Sequence, residues 1–119
     1  MGKKIRAIVK RPDELIGHVT AVSNSLENLQ RIVGGYIQIV PIRMYPNIVV
    51  ICNEDGRLQH LPFNCTVTGH GPAGDFEVGF VGDIIVVGVE GDELADLPAE
   101  ITRKMWASWI HPSAAVLLK

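Results

Sequence analysis

The chain has 119 residues, 47% of them hydrophobic and 20% charged, with a formal net charge of -2. That length suits one domain around one core, and that balance excludes the charge-rich, apolar-poor profile of a disordered chain. A slightly acidic chain has no general attraction for nucleic acid or anionic lipid, and no run approaches the roughly 18 to 20 apolar residues of a membrane span, so neither a nucleic acid polymer nor a membrane is expected as a partner.

Residues Lys4 to Lys10 (KIRAIVK) alternate polar and apolar and predict a half-buried strand, which Arg11-Pro12-Asp13-Glu14 breaks. Lys3, Lys4, Arg6, Lys10 and Arg11 form the only basic cluster. It is expected as a solvated strand edge in preference to a phosphate-binding arm. No apolar stretch follows this basic start, which argues against a signal peptide and for a cytoplasmic protein. His18 to Val22 predicts a second strand. Asn24 is placed as an N-cap with Glu27 three residues on, and Leu26, Leu29, Ile32 and Val33 then share one helical face before Gly34-Gly35 stops the helix.

Tyr36 to Ile42 predicts a strand, Met44-Tyr45-Pro46-Asn47 a turn, and the unbroken apolar run Ile48 to Cys52 a central strand covered on both faces. Asn53-Glu54-Asp55-Gly56 has the pattern of a tight hairpin turn, so Arg57 to Leu61 is expected to pair with Val49 to Asn53. The glycine-rich stretch 65–82 is expected as a loop or irregular hairpin, followed by a buried strand at Asp83 to Val89. Leu97, Ile101, Met105 and Trp109 then recur every four residues, with Trp106 and Ile110 beside them. They predict a final helix whose apolar side packs on the sheet or on another subunit, ended by Pro112 and an apolar tail, 113–119. The whole reads as one α+β domain over residues 1–119: a mainly antiparallel mixed sheet, one helix after the second strand, and a C-terminal helix packed on one face.

Catalytic signals are weak. Cys52, Cys65, His18, His60, His70 and His111 match no zinc-ligand spacing, so no metal is expected, and the two cysteines fit buried free thiols, with a disulfide left open. The glycine-rich stretch lacks the Gly-Lys-Ser/Thr ending of a phosphate loop, and no cofactor is implied. Asp75 and Glu77, with His70 or Cys65, would carry the chemistry of a small hydrolase, but sequence proximity alone does not bring them together. The polar residues around the predicted hairpin suggest binding instead. Arg43, Arg57, His60 and Asn64 would give a phosphate clamp with Tyr36 as a stacking ring, Arg43 and Arg57 holding the phosphate and Asn64 reading polar edges.

The pieces Val33-Gly34-Gly35-Tyr36-Ile37, Cys52-Asn53-Glu54-Asp55-Gly56, Leu61-Pro62 with Asn64, and Gly82-Asp83 with Val86-Val87-Gly88 resemble, in this order, a family of small domains of unknown function found in phages and mobile elements of bacteria. The resemblance covers most of the chain, which departs from the pattern in a longer stretch from Thr66 to Phe80, in Cys65, and in its apolar tail. It implies a phage protein acting in the bacterial host cytoplasm, with no catalytic residues to carry over. The expected function is a non-enzymatic, homo-oligomeric binding protein that captures a small phosphorylated ligand, sequestering a nucleotide signal of host antiviral defence. The alternatives are an inhibitor that binds a host protein through Trp106, Trp109 and Ile110 or a sheet edge, and a small hydrolase.

Overall fold

In the computed structural model the described residues are 3–42, 45, 47–72 and 74–111. Polar–apolar alternation makes β1 (Lys4–Lys10) and β2 (His18–Ser23), which pair antiparallel. α1 (Leu26–Val33) follows. Its N-cap is Ser25, whose Oγ accepts from Asn28 N at 3.2 Å, and not the expected Asn24. Asn24 is occupied elsewhere, donating its backbone N–H to Lys3 O at 2.8 Å and Nδ2 to Leu94 O at 3.2 Å. Gly34 closes the helix at φ 81°, a left-handed conformation that side chains resist.

The chain continues through β3 (Ile37–Pro41), β4 (Ile48–Asn53), β5 (Phe63–Gly71), β6 (Gly74–Val81), β7 (Ile84–Glu90), β8 (Glu93–Ala95), α2 (Arg103–Ala107) and β9 (Ile110–His111). The larger sheet has the order β2-β1-β7-β4-β3, with β8 also on β7, and the smaller has the order β6-β5-β9. Every pairing among them is antiparallel. This is the α+β fold the pattern predicts, with a helix after the second strand and another near the C-terminus.

Both faces of the larger sheet are covered. On one, Leu29 and Val33 of α1 meet Val49, Ile51, Ile85 and Val87. On the other, Ile8, Ile48, Val50, Ile84 and Val86 meet Cys65, Val67 and Phe80 of the smaller sheet together with Leu97, Ile101, Trp106 and Trp109. Two buried faces explain why β4 and β7 read as unbroken apolar runs.

Four expectations are corrected or narrowed. Arg57 to Leu61 is no strand: β4 is already paired with β3 on one side and β7 on the other, so 54–60 folds into successive turns. The stretch 65–82 is the hairpin and not the loop of the two alternatives: β5 pairs with β6 in continuous register from Cys65 to Gly71, with a bulge just before it, between Phe63 and Cys65. The final helix is only Arg103–Ala107, because Thr102 caps it by accepting from Met105 N at 3.1 Å. Leu97 and Ile101 approach that helix as irregular chain and still reach the core. The basic cluster is a solvated edge only in part: Lys3, Lys4 and Arg11 are exposed, but β1 lies inside the sheet, Lys10 is 1% exposed, and Arg6 donates to the carbonyls of Leu97, Pro98 and Ile101 at 3.0–3.2 Å. Pro112 and the tail 113–119 lie outside the described residues.

Candidate functional site

Asn53, the last residue of β4, organises the turns at 54–60. Its Oδ1 accepts from Asp55 N at 2.8 Å, while Nδ2 donates to Val33 O at 3.1 Å and to Gln59 Oε1 at 3.1 Å. One buried amide thus ties the end of α1 to both ends of the turn. Within it, Gln59 N donates to Asp55 O at 2.9 Å and Leu61 N to Gly56 O at 3.0 Å. His60 sits at φ 57° and faces solvent.

Arg57 projects from this turn toward the smaller sheet and donates Nη2 to Gly79 O at 3.3 Å. It stands at a groove of about 500 Å³ whose walls are Gln38 and Val40 of β3, Cys52 of β4, Leu58 of the turn, and Val78 and Phe80 of β6. Glu54 also lines it, so the groove holds one charge of each sign. Tyr36, 69% exposed, lines a separate depression of about 250 Å³ with Gln30, Asp55 and Gln59. Arg57 and Tyr36 therefore flank one turn without sharing a cavity.

Asn64 is not with them. It is 3% exposed, at the β5 bulge, where Nδ2 donates to Lys10 O at 2.9 Å and to Gly82 O at 2.7 Å and Oδ1 accepts from Lys10 Nζ at 2.7 Å. Its amide is fully engaged in joining the two sheets. Burial lowers the pKa of Lys10, against the opposing pull of Cys65, Glu14 and Asp13. Arg43 lies outside the described residues. Of the five predicted contacts, Arg57 faces the groove, Tyr36 and His60 lie near the same turn, and Asn64 is structural. Gln38 and Leu58 went unrecognised. Strand alternation marks Gln38, but nothing local marks Leu58.

Of the four hydrolase residues, His70, Asp75 and Glu77 line one depression and Cys65 lies apart from them. Cys65 is fully buried toward the core, and burial pushes its thiol up to about 11, although the Lys10 charge pulls the other way. His70 and Asp75 pair with each other at the exposed hairpin end, beside a depression also lined by Glu77 and Trp109. Among the described residues no three His, Cys, Asp or Glu side chains are grouped to hold a metal ion. No helix among them is long and apolar enough to cross a membrane.

Cys52 and Cys65 are buried free thiols, and burial also raises the pKa of Cys52 despite the nearby Arg57. A protonated, covered thiol is a poor nucleophile. In the native protein neither should react with Ellman's reagent at pH 8 within minutes, while both should react at once in denaturant. Prompt reaction at Cys52 alone would mean that the groove opens to its floor.

A family model described as a domain of unknown function (DUF3846) matches residues 5–109. No curated protein and no solved structure matches the chain.

Proposed function

We propose that this chain, which belongs to the DUF3846 family of domains of unknown function, is a non-enzymatic binding protein that captures a small phosphorylated ligand at Arg57. One observation carries the proposal: a guanidinium stands at the groove between two strands, and Nη2 to Gly79 O is its one hydrogen bond among the described residues. A guanidinium has five N–H donors in a planar fork, so most remain for phosphate oxygens. Val40, Leu58 and Phe80 offer an apolar wall for the rest of the ligand, and the exposed ring of Tyr36 offers a stacking surface across the turn. The finer identity, a nucleotide signal of host defence sequestered by a phage protein in the bacterial cytoplasm, rests on the resemblance described above.

Calorimetric titration against a nucleotide panel tests this. Arg57→Ala should weaken binding at least about tenfold, the effect of a lost charge-assisted hydrogen bond, while the melting temperature stays nearly constant because the side chain is exposed. Wild-type affinity in Arg57→Ala would remove Arg57 from the site. The inhibitor alternative loses its indole surface, since Trp106 and Trp109 are buried in the core.

A further inference from the structure

The larger sheet ends in β2 on one side and β3 on the other, and the two edges are finished differently. At β2, the carbonyl of Gly17 just before the strand accepts from Arg103 Nε at 2.7 Å. The carbonyl of Ser23 at its far end accepts from Ser25 N at 3.0 Å and from Asn28 Nδ2 at 2.9 Å. Both ends are covered, which leaves the outward backbone groups of Val19 and Ala21 alone between them.

β3 has no such cover. Glu54 N donates to Tyr36 O at 2.8 Å and Ile42 N to Ile48 O at 3.0 Å, which fixes the phase of the ladder at both ends. Antiparallel pairs alternate between bonded and non-bonded, so Gln38↔Cys52 and Val40↔Val50 are bonded pairs and the backbone groups of Ile37, Ile39 and Pro41 point outward. Among the described residues these outward groups have no hydrogen-bond partner. The same phase sets the side chains of Ile37, Ile39 and Pro41 on one face, without charge, and the central Ile39 is 47% exposed.

We propose that β3 pairs antiparallel with β3 of a second copy about a two-fold axis at Ile39. Each Ile39 then donates its N–H to the carbonyl of the other, and each Ile37 N–H meets the Pro41 carbonyl of the other copy. Pro41 lacks an N–H, but it stands where β4 requires none, as prolines on edge strands do. Ile37 faces Pro41 and Ile39 faces Ile39, so apolar side chains oppose each other and no like charges meet. An axis normal to the sheet puts the two Arg57 grooves on the same side of a continuous double sheet. Self-association thus moves from the C-terminal apolar stripe, which the core has absorbed, to a strand edge.

Sedimentation velocity of the full chain tests the pairing. The wild type should be a dimer at about 100 µM. Ile39→Pro removes only an outward N–H, and Ile39→Lys brings two ammonium groups together at the axis. Ile39→Lys should weaken dimerisation at least about 100-fold, as like-charge juxtaposition does, and Ile39→Pro at least about tenfold through the two N–H bonds lost at the axis, each with the circular dichroism spectrum kept. Val19→Lys on the β2 edge should leave the dimer intact. Should Ile39→Pro misfold, Ile39→Lys decides alone. A monomeric wild type, a dimer that survives Ile39→Lys, or a dimer lost only in Val19→Lys overturns the proposal.

Discussion

Asn64→Ala should lower the unfolding free energy by about 3 kcal/mol, the upper end of the cost of leaving buried polar groups without their hydrogen-bond partner, as expected when one of them is charged. The substitution strips Lys10 Nζ of its 2.7 Å acceptor and leaves two buried carbonyls, Lys10 O and Gly82 O, without that donor. The carbonyls of Asn64 and Arg11, both 3.4 Å from Nζ, are too distant to compensate. A pH signature separates this cause from simple loss of packing. Lys10 already has a folded pKa below its ordinary 10.5, and loss of the Oδ1 acceptor lowers it further. Between that depressed value and 10.5 the unfolded chain binds more protons, so stability rises with pH across the window. The deficit of Asn64→Ala against wild type should therefore shrink as pH climbs toward 10.5. Urea denaturation at neutral and alkaline pH measures it. A loss below about 1 kcal/mol, within the range of one neutral hydrogen bond, would show that the Lys10 charge is not held by this amide.

Trp106→Ala should cost a similar amount, about 3–5 kcal/mol, the usual range for emptying a buried aromatic site. Trp106 is fully buried, its ring edge-on to Trp109 at 6.4 Å, and Trp109 in turn lies 5.2 Å from Tyr45. Its Nε1 donates to Ile16 O at 3.0 Å, fixing the chain between β1 and β2 beneath α2. Trp106→Phe should cost less, about 1–2 kcal/mol, since it keeps most of the apolar volume and loses the indole donor. Equal losses for the two variants would assign the effect to the hydrogen bond and not to packing. A helix of only five residues has little stability of its own, so α2 depends on this anchor.

What was legible in the sequence was local. The alternation in 4–10, the double glycine at 34–35 and the unbroken run at 48–52 each carry their structural reason within a few residues. The misreadings came where a distant partner decided. Lys10 looks like a surface lysine until Asn64, 54 residues away, is placed beside it. Asn64 looks like a ligand contact for the same reason. The four-residue recurrence from Leu97 to Trp109 copies a helical stripe, yet those side chains reach one core through irregular chain, a short helix and the residues after it. In the glycine-rich hairpin the signal was present and outweighed: Phe76, Val78 and Phe80 alternate as a strand should, but five glycines argued for a loop or an irregular hairpin. At the groove, Arg57 could be singled out by its chemistry, whereas Gln38 and Val78 are brought to it only by the meeting of two sheets.

The position of β7 bears on how the chain is made. It pairs with β1 on one side and β4 on the other, although its residues come late in the sequence. Two hairpins, β1–β2 and β3–β4, can form early from neighbouring segments, but β1 and β4 then each present an unpaired apolar edge until residues 84–90 leave the ribosome. The closing strand must bridge contacts across most of the chain, which sets a slow final step relative to hairpin formation. Nascent chains stalled before residue 84 should accordingly be the aggregation-prone species, and those extended beyond residue 90 should begin to resist proteolysis.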